Sequence, residues 1–183
     1  MKERTKKIIS KCVSYALTFV TVLFGATMVY VLAQKARGEV PKFFGFCVLQ
    51  IVSGSMETEI PTGSYILVKE TDADDIEKDD IISFYSSDPS IYGYPNTHRV
   101  VEKIEDENGI AFVTRGDANA TDDEYVAKAD NLIGKYVKTL TALTATVEFF
   151  AVNGFAVVGV MTVLSVGMIF ATAFIKSKEE KGE

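Results

Sequence analysis

The chain has 183 residues, with 25 acidic and 19 basic side chains, a formal net charge of −6 and an apolar share of 48%. That length holds one compact domain and accessories. The acidic balance argues against nucleic acid as a partner. One histidine and two distant cysteines cannot build an ordinary zinc site or a disulfide framework, and nothing points to a metal or organic cofactor.

The apolar residues are unevenly spread. A basic head, 1–11, carries Lys2, Arg4, Lys6, Lys7 and Lys11 against Glu3, and 23 uncharged residues, 12–34, follow it. At ~1.5 Å per helical residue this run crosses a hydrocarbon core of ~30 Å. It is too long for the apolar part of a cleavable signal peptide, and no clear small-residue cleavage site follows it. Residues 35–148 carry 21 acidic and 11 basic side chains and form the one region fit for a folded domain. A second uncharged run of 27 residues, 149–175, leads to a tail, 176–183, that contains Lys176, Lys178 and Lys181. Two transmembrane helices with basic outer ends place both termini in the cytoplasm and the acidic middle outside, or in the lumen of a eukaryotic cell. Lys35, Arg37 and Lys42 on the outer flank weaken that bias without reversing it. Cys12 and Cys47 then stand on opposite sides of the membrane and cannot bridge.

The middle region has short strand-like runs separated by turn chemistry, the mark of a mainly β domain. Residues 43–52 are a near-continuous apolar run ending at Gly54, which suits a buried strand or one lying against the bilayer. Pro61, Thr62, Gly63 and Ser64 turn the chain into a strand at 65–68. The acidic loop of Asp72, Asp74, Asp75, Glu77, Asp79 and Asp80 lacks the glycine and terminal glutamate of a calcium loop and reads as solvated. Strands at 81–85, 97–106 and 110–115 follow. Asn108-Gly109 predicts a type I′ hairpin that sets Glu102 opposite Arg115 and Ile104 opposite Val113. The same register sets Val100 opposite Asp117 and brings His98 diagonally within ~7–8 Å of it.

Ser53-Gly54-Ser55-Met56-Glu57 stands where a buried strand gives way to a turn, a place that offers a small hydroxyl to a cleft. A serine hydroxyl needs a base within hydrogen-bond reach, and the single histidine, His98, lies in the same domain. The segment Thr114 to Asp123 supplies carboxylates on the chain's return past His98. One that accepts from the imidazole fixes its tautomer and stabilises the imidazolium formed during attack.

Taken in order, Ser53-Gly54-Ser55-Met56-Glu57, Thr97-His98-Arg99-Val100, Gly116-Asp117-Ala118-Asn119 and Asp122-Asp123 resemble the boxes of type I signal peptidases. The branch they resemble is the endoplasmic-reticulum type, found also in archaea and Gram-positive bacteria, in which histidine replaces the lysine base of the better-known bacterial enzymes. The resemblance covers roughly 48–137. It implies a signal-peptidase-like β fold flanked by two transmembrane helices, with Ser55 as nucleophile and His98 as general base. It also implies an oxyanion site made by the Ser55 N–H and the Ser53 hydroxyl. The carboxylate partner is Asp117 or Asp123: the hairpin register favours the first and the family's usual triad the second. Thr58 stands where the family commonly has proline, and Pro61 restores a turn nearby. The implied substrates are the signal peptides of secretory precursors, pairing as extended chains with a strand edge beside Ser55 and presenting small residues before the cut. Phe43 follows Lys35 by only eight positions, so the nucleophile's strand stays near the bilayer and its lipid.

Two other readings compete. Self-cleaving repressor proteases share a Ser-Gly-Ser-Met box, but they are soluble and use lysine. A non-catalytic two-span protein whose outer β-domain binds a partner is the other, yet Ser55, His98 and the aspartates are all present. Gly154, Gly159 and Gly167 in the second span form no clean GxxxG pair, so they do not mark it as a partner-docking helix.

Overall fold

The computed structural model describes residues 2–107 and 109–181. A 35-residue helix, α1 (Lys2–Ala36), opens the chain. Its segment Tyr15–Ala36 has a mean hydropathy of 2.1 and is the one stretch among the described residues long and apolar enough to cross a bilayer. A 41-residue helix, α2 (Thr141–Lys181), closes the chain. It contains the uncharged run 149–175, much of which lies outside the residues whose side chains are described.

Among the described residues, seven strands lie between the helices: β1 (Phe46–Gln50), β2 (Tyr65–Lys69), β3 (Ile81–Tyr85), β4 (Pro95–Asp106), β5 (Gly109–Arg115), β6 (Ala127–Lys128) and β7 (Leu132–Thr139). They form one antiparallel sheet in the order β1-β2-β7-β3-β4-β5-β6. The fold is therefore mainly β with an apolar N-terminal helix, as composition and turn spacing imply. Strands β6 and β7 escape the pattern reading. β7 (LIGKYVKT) mixes glycine and lysines with apolar residues, yet it lies between β2 and β3.

Apolar side chains pack on both faces of the sheet. Ile51, Met56, Ile60, Ile66, Val68 and Ile133 belong to one buried cluster, and Ile76, Ile82, Phe84, Val100 and Phe112 to the other. Successive residues of β3, Ile81 and Ile82, enter opposite clusters, as the two-residue period of a strand requires. β3 is consequently buried along almost its whole length.

Two sequence expectations are corrected. The apolar run 43–52 does not form one strand. Phe43 and Phe46 exchange backbone hydrogen bonds of 2.7 and 3.0 Å across Phe44 (φ 53°) and Gly45 (φ 77°). Positive φ at both central positions is the backbone of a type I′ turn.

In the β4–β5 hairpin the pairs are Glu102↔Val113, Ile104↔Ala111 and Asp106↔Gly109, and Asn108 itself lies outside the described residues. Gly109 (φ 104°) thus begins β5 rather than completing the turn. A bulge between Val100 and Glu102 then shifts the register once more, so that Val100 faces Thr114 and Arg99 faces Arg115. The extra residue of a bulge is invisible to any count made outward from the turn.

Both helices are tied to the β1–β2 side of the sheet. The Tyr30 hydroxyl donates to the Lys42 carbonyl (2.8 Å), and its ring meets Phe43 edge-on at 5.2 Å. At the other helix the Tyr65 N–H donates to Thr144 Oγ1 (3.0 Å), and the Leu140 N–H to the Tyr65 carbonyl (2.7 Å).

Candidate active site

The β1–β2 hairpin is closed by Ile51 N–H to the Ser64 carbonyl (2.9 Å) and Gly63 N–H to the Ile51 carbonyl (2.8 Å). Residues 52–62 therefore leave the sheet as a loop. Within it Gly54–Met56 make a single 3-10 turn, and the side chains of Met56 and Ile60 are fully buried anchors. Ser55 is left half-exposed at the cleft, between the buried Ile51 and Met56.

His98 projects from β4 opposite Ile82 of β3 and is only 6% exposed. Its Nε2 lies 3.0 Å from Ser55 Oγ, and its Nδ1 lies 2.5 Å from Asp123 Oδ2. An ionised carboxylate only accepts, so Nδ1 carries the proton and Nε2 offers its lone pair to the Ser55 hydroxyl. Asp123 is itself held from β5: its N–H donates to the Thr114 carbonyl (2.8 Å), and the buried Thr114 hydroxyl donates to Oδ2 (2.6 Å). The result is a continuous line, Thr114–Asp123–His98–Ser55, built by three separate stretches of chain.

Asp117 is not in that line. Its two oxygens accept from Arg99 Nε (2.8 Å) and Nη2 (2.7 Å), while Arg99 Nη1 donates to the Asp79 carbonyl (2.9 Å). The hydrogen bond to Asp117 holds the Arg99 guanidinium above its ordinary pKa. This two-toothed pair fastens the start of the 116–123 loop to β4, one residue beyond His98. The loop in turn supports the serine, because Ala118 N–H donates to the Ser55 carbonyl (2.8 Å). A Cβ on Gly116 would stand 2.7 Å from the Ser55 carbonyl oxygen and 2.9 Å from Ser55 Cβ, so only glycine lets the loop approach this closely. Ser53 Oγ lies 3.1 Å from Ser55 Oγ.

The register correction explains the separation of the two aspartates. Once the earlier start of β5 and the bulge together place Val100 opposite Thr114, Asp117 falls beyond the end of β5, beside Arg99 rather than His98. Pattern reading gave no role to Thr114, Arg99 or Gly116. Arg99 and Gly116 sit within the boxes that carry His98 and Asp117, Thr114 lies two residues before the second of them, and the glycine's close approach depends on a loop path that no periodicity encodes.

Cavities flank Ser55 on two sides. The larger, about 580 Å³, is lined by Leu49, Ile51, Val52, Met56, Ile91 and Tyr94 among others and has no charged residue in its wall. The smaller, about 290 Å³, includes His98, Asp123, Asp88, Glu124 and Tyr125. Ser53, Ser55, Ile91 and Asn96 belong to both.

No protein-family model matches the chain. It is 35% identical over 131 residues, 71% of its own length, to "Signal peptidase I W" of Bacillus subtilis (strain 168). The chain spans 65% of the length of that curated relative. Over the matched part, the chain is a relative of a type I signal peptidase.

Proposed function

We propose that this chain is a membrane-bound serine endopeptidase, a signal peptidase I of the endoplasmic-reticulum type, that removes N-terminal signal peptides from secretory precursors. The observation that carries the reading is the Ser55–His98–Asp123 line, with 3.0 Å and 2.5 Å contacts on the two ring nitrogens. The kinship with a signal peptidase supports it and does not favour a non-catalytic domain.

In the proposed reaction Ser55 Oγ attacks the scissile carbonyl carbon while His98 Nε2 takes its proton. Asp123 holds the imidazole and stabilises its protonated form. The Ser55 N–H and the Ser53 hydroxyl bind the oxyanion, each donor lowering the barrier by ~3 kcal/mol. His98 then protonates the leaving amine, and water, activated by the same ring, hydrolyses the acyl-serine. Every group is supplied by the chain itself.

The proposed setting is a cell membrane crossed by 12–34 and 149–175, with both termini cytoplasmic and 35–148 outside. The apolar 12–34 run and the basic residues at the two ends support it.

The test is cleavage of a secretory precursor by the full chain in detergent. Wild type is expected to cut after a small residue, and Ser55→Ala and His98→Ala to lose at least about a thousandfold in kcat. Wild-type rates in Ser55→Ala would remove the nucleophile and the reading with it.

A further inference from the structure

The two cavities beside Ser55 differ in charge, and the chemistry of the line tells them apart. The nitrogen of His98 that accepts the serine proton must later deliver it to the departing amine. The amine therefore leaves on the side of Ser55 that His98 occupies. His98 is in the wall of the 290 Å³ pocket and not in that of the 580 Å³ cleft.

We propose that the 290 Å³ pocket receives the first residues after the cut and that Asp88 and Glu124 make it select cationic over acidic ones; this rests on the peptidase reading above. The pocket wall holds three carboxylates, Asp88, Asp123 and Glu124, and neither lysine nor arginine. Asp123 is committed to His98 and Thr114, which leaves the other two facing the substrate. The Ser90 N–H (2.8 Å) and hydroxyl (2.7 Å) both donate to Asp88 Oδ1. Those bonds fix the Asp88 carboxylate in place and hold its pKa below the usual range, so it stays charged.

The same asymmetry orients the substrate. The uncharged cleft, with Leu49, Ile51, Val52 and Met56 in its wall, suits the apolar residues before the cut. Acylation frees a new α-amine, and once protonated that group gains attraction from a carboxylate-lined pocket that the uncut peptide bond does not feel. An acidic segment after the cut meets repulsion at the same place.

The experiment offers the full chain in detergent a precursor carrying lysine, glutamine or glutamate at each of the first two positions after the cut. The expected order in kcat/KM is lysine, glutamine, glutamate, with about three- to fivefold between the ends, the scale of a partly exposed charge pair. Asp88→Asn with Glu124→Gln is expected to collapse the lysine-to-glutamate ratio toward one, as is raised salt. Glu105→Gln, on a carboxylate near the far end of β4, is expected to keep the ratio.

Equal rates for the three precursors in wild type, or an unchanged ratio in the double variant, overturn the inference while leaving the peptidase reading in place. Cleavage that persists in Ser55→Ala, or none in wild type, removes that reading and the inference together.

Discussion

Two aspartates six positions apart have different work, and the difference is measurable. Asp123 touches the imidazole at 2.5 Å, whereas Asp117 is held in both oxygens by Arg99. Asp123→Asn puts an amide where Nδ1–H needs an acceptor and allows the wrong tautomer, a change expected to lower kcat by about 10³- to 10⁴-fold. Asp117→Asn leaves the imidazole contact intact and loosens only the loop behind Ser55, with an expected loss on the order of tenfold. Single-turnover rates on one precursor settle the order, and a greater loss in Asp117→Asn would return that residue to the imidazole. Glu57 acts on the other side of the serine. Its Oε2 accepts from the Thr62 N–H (3.1 Å) and from the Thr62 hydroxyl, and these bonds hold its carboxyl below the ordinary range. A lowered folded pKa gives stability that is complete above the unfolded value, near ~4.3, and is lost as the pH falls through the folded value. Glu57→Gln is therefore expected to melt earlier than wild type at neutral pH and together with it once the pH lies below the folded value. A gap that persists in acid would show that the carboxylate charge is not what holds the turn.

At the scale of elements, β7 is where sequence and structure part. Strands rich in apolar residues, such as β3 (IISFY), announce themselves, and so do the boxes that carry Ser55 and His98. β7 does not, because its stability comes from partners that no local pattern names. Lys135 Nζ reaches Asp80 Oδ2 at 2.6 Å, and Gly134 lies against the backbone of β2. A Cβ on Gly134 would stand 2.1 Å from the Lys69 carbonyl oxygen and 2.7 Å from its carbon, and Gly134 has φ 156°. Neither β2 nor β3 can retreat, since each is paired on its other side. Gly134→Ala is expected to cost ~1–3 kcal/mol or more, read as a lower melting temperature in detergent. An unchanged melt would mean that β7 is not held this tightly between its neighbours. The hairpin count goes astray for a related reason: β5 opens at Gly109, which moves the pairing by two residues, and the bulge at Val101 moves it by one more, which is enough to exchange one aspartate for another beside the imidazole.

For the whole molecule the charges favour the proposed two crossings of the bilayer. In the proposed topology a helix that begins among Lys2, Arg4, Lys6, Lys7 and Lys11 would keep that end in the cytoplasm, because moving five cations across is far costlier than moving an acidic domain. Beyond the C-terminal end of α1, Phe44 is fully exposed at the tip of its turn, and Val48 and Val52 are exposed further along the same segment. These apolar side chains suit the interfacial layer where α1 would leave the membrane. If 149–175 also crosses, the tail with Lys176, Lys178 and Lys181 returns to the basic side, and the cleft beside Ser55 is held to the membrane by a helix at each end. Sealed right-side-out vesicles carrying the full chain with a small epitope after residue 183 test this directly. Protease added outside is expected to cut within 35–148, while the epitope survives until detergent opens the vesicles. Loss of the epitope before detergent would place the tail outside, leave α1 as the single span, and make α2 a helix that lies along the outer face.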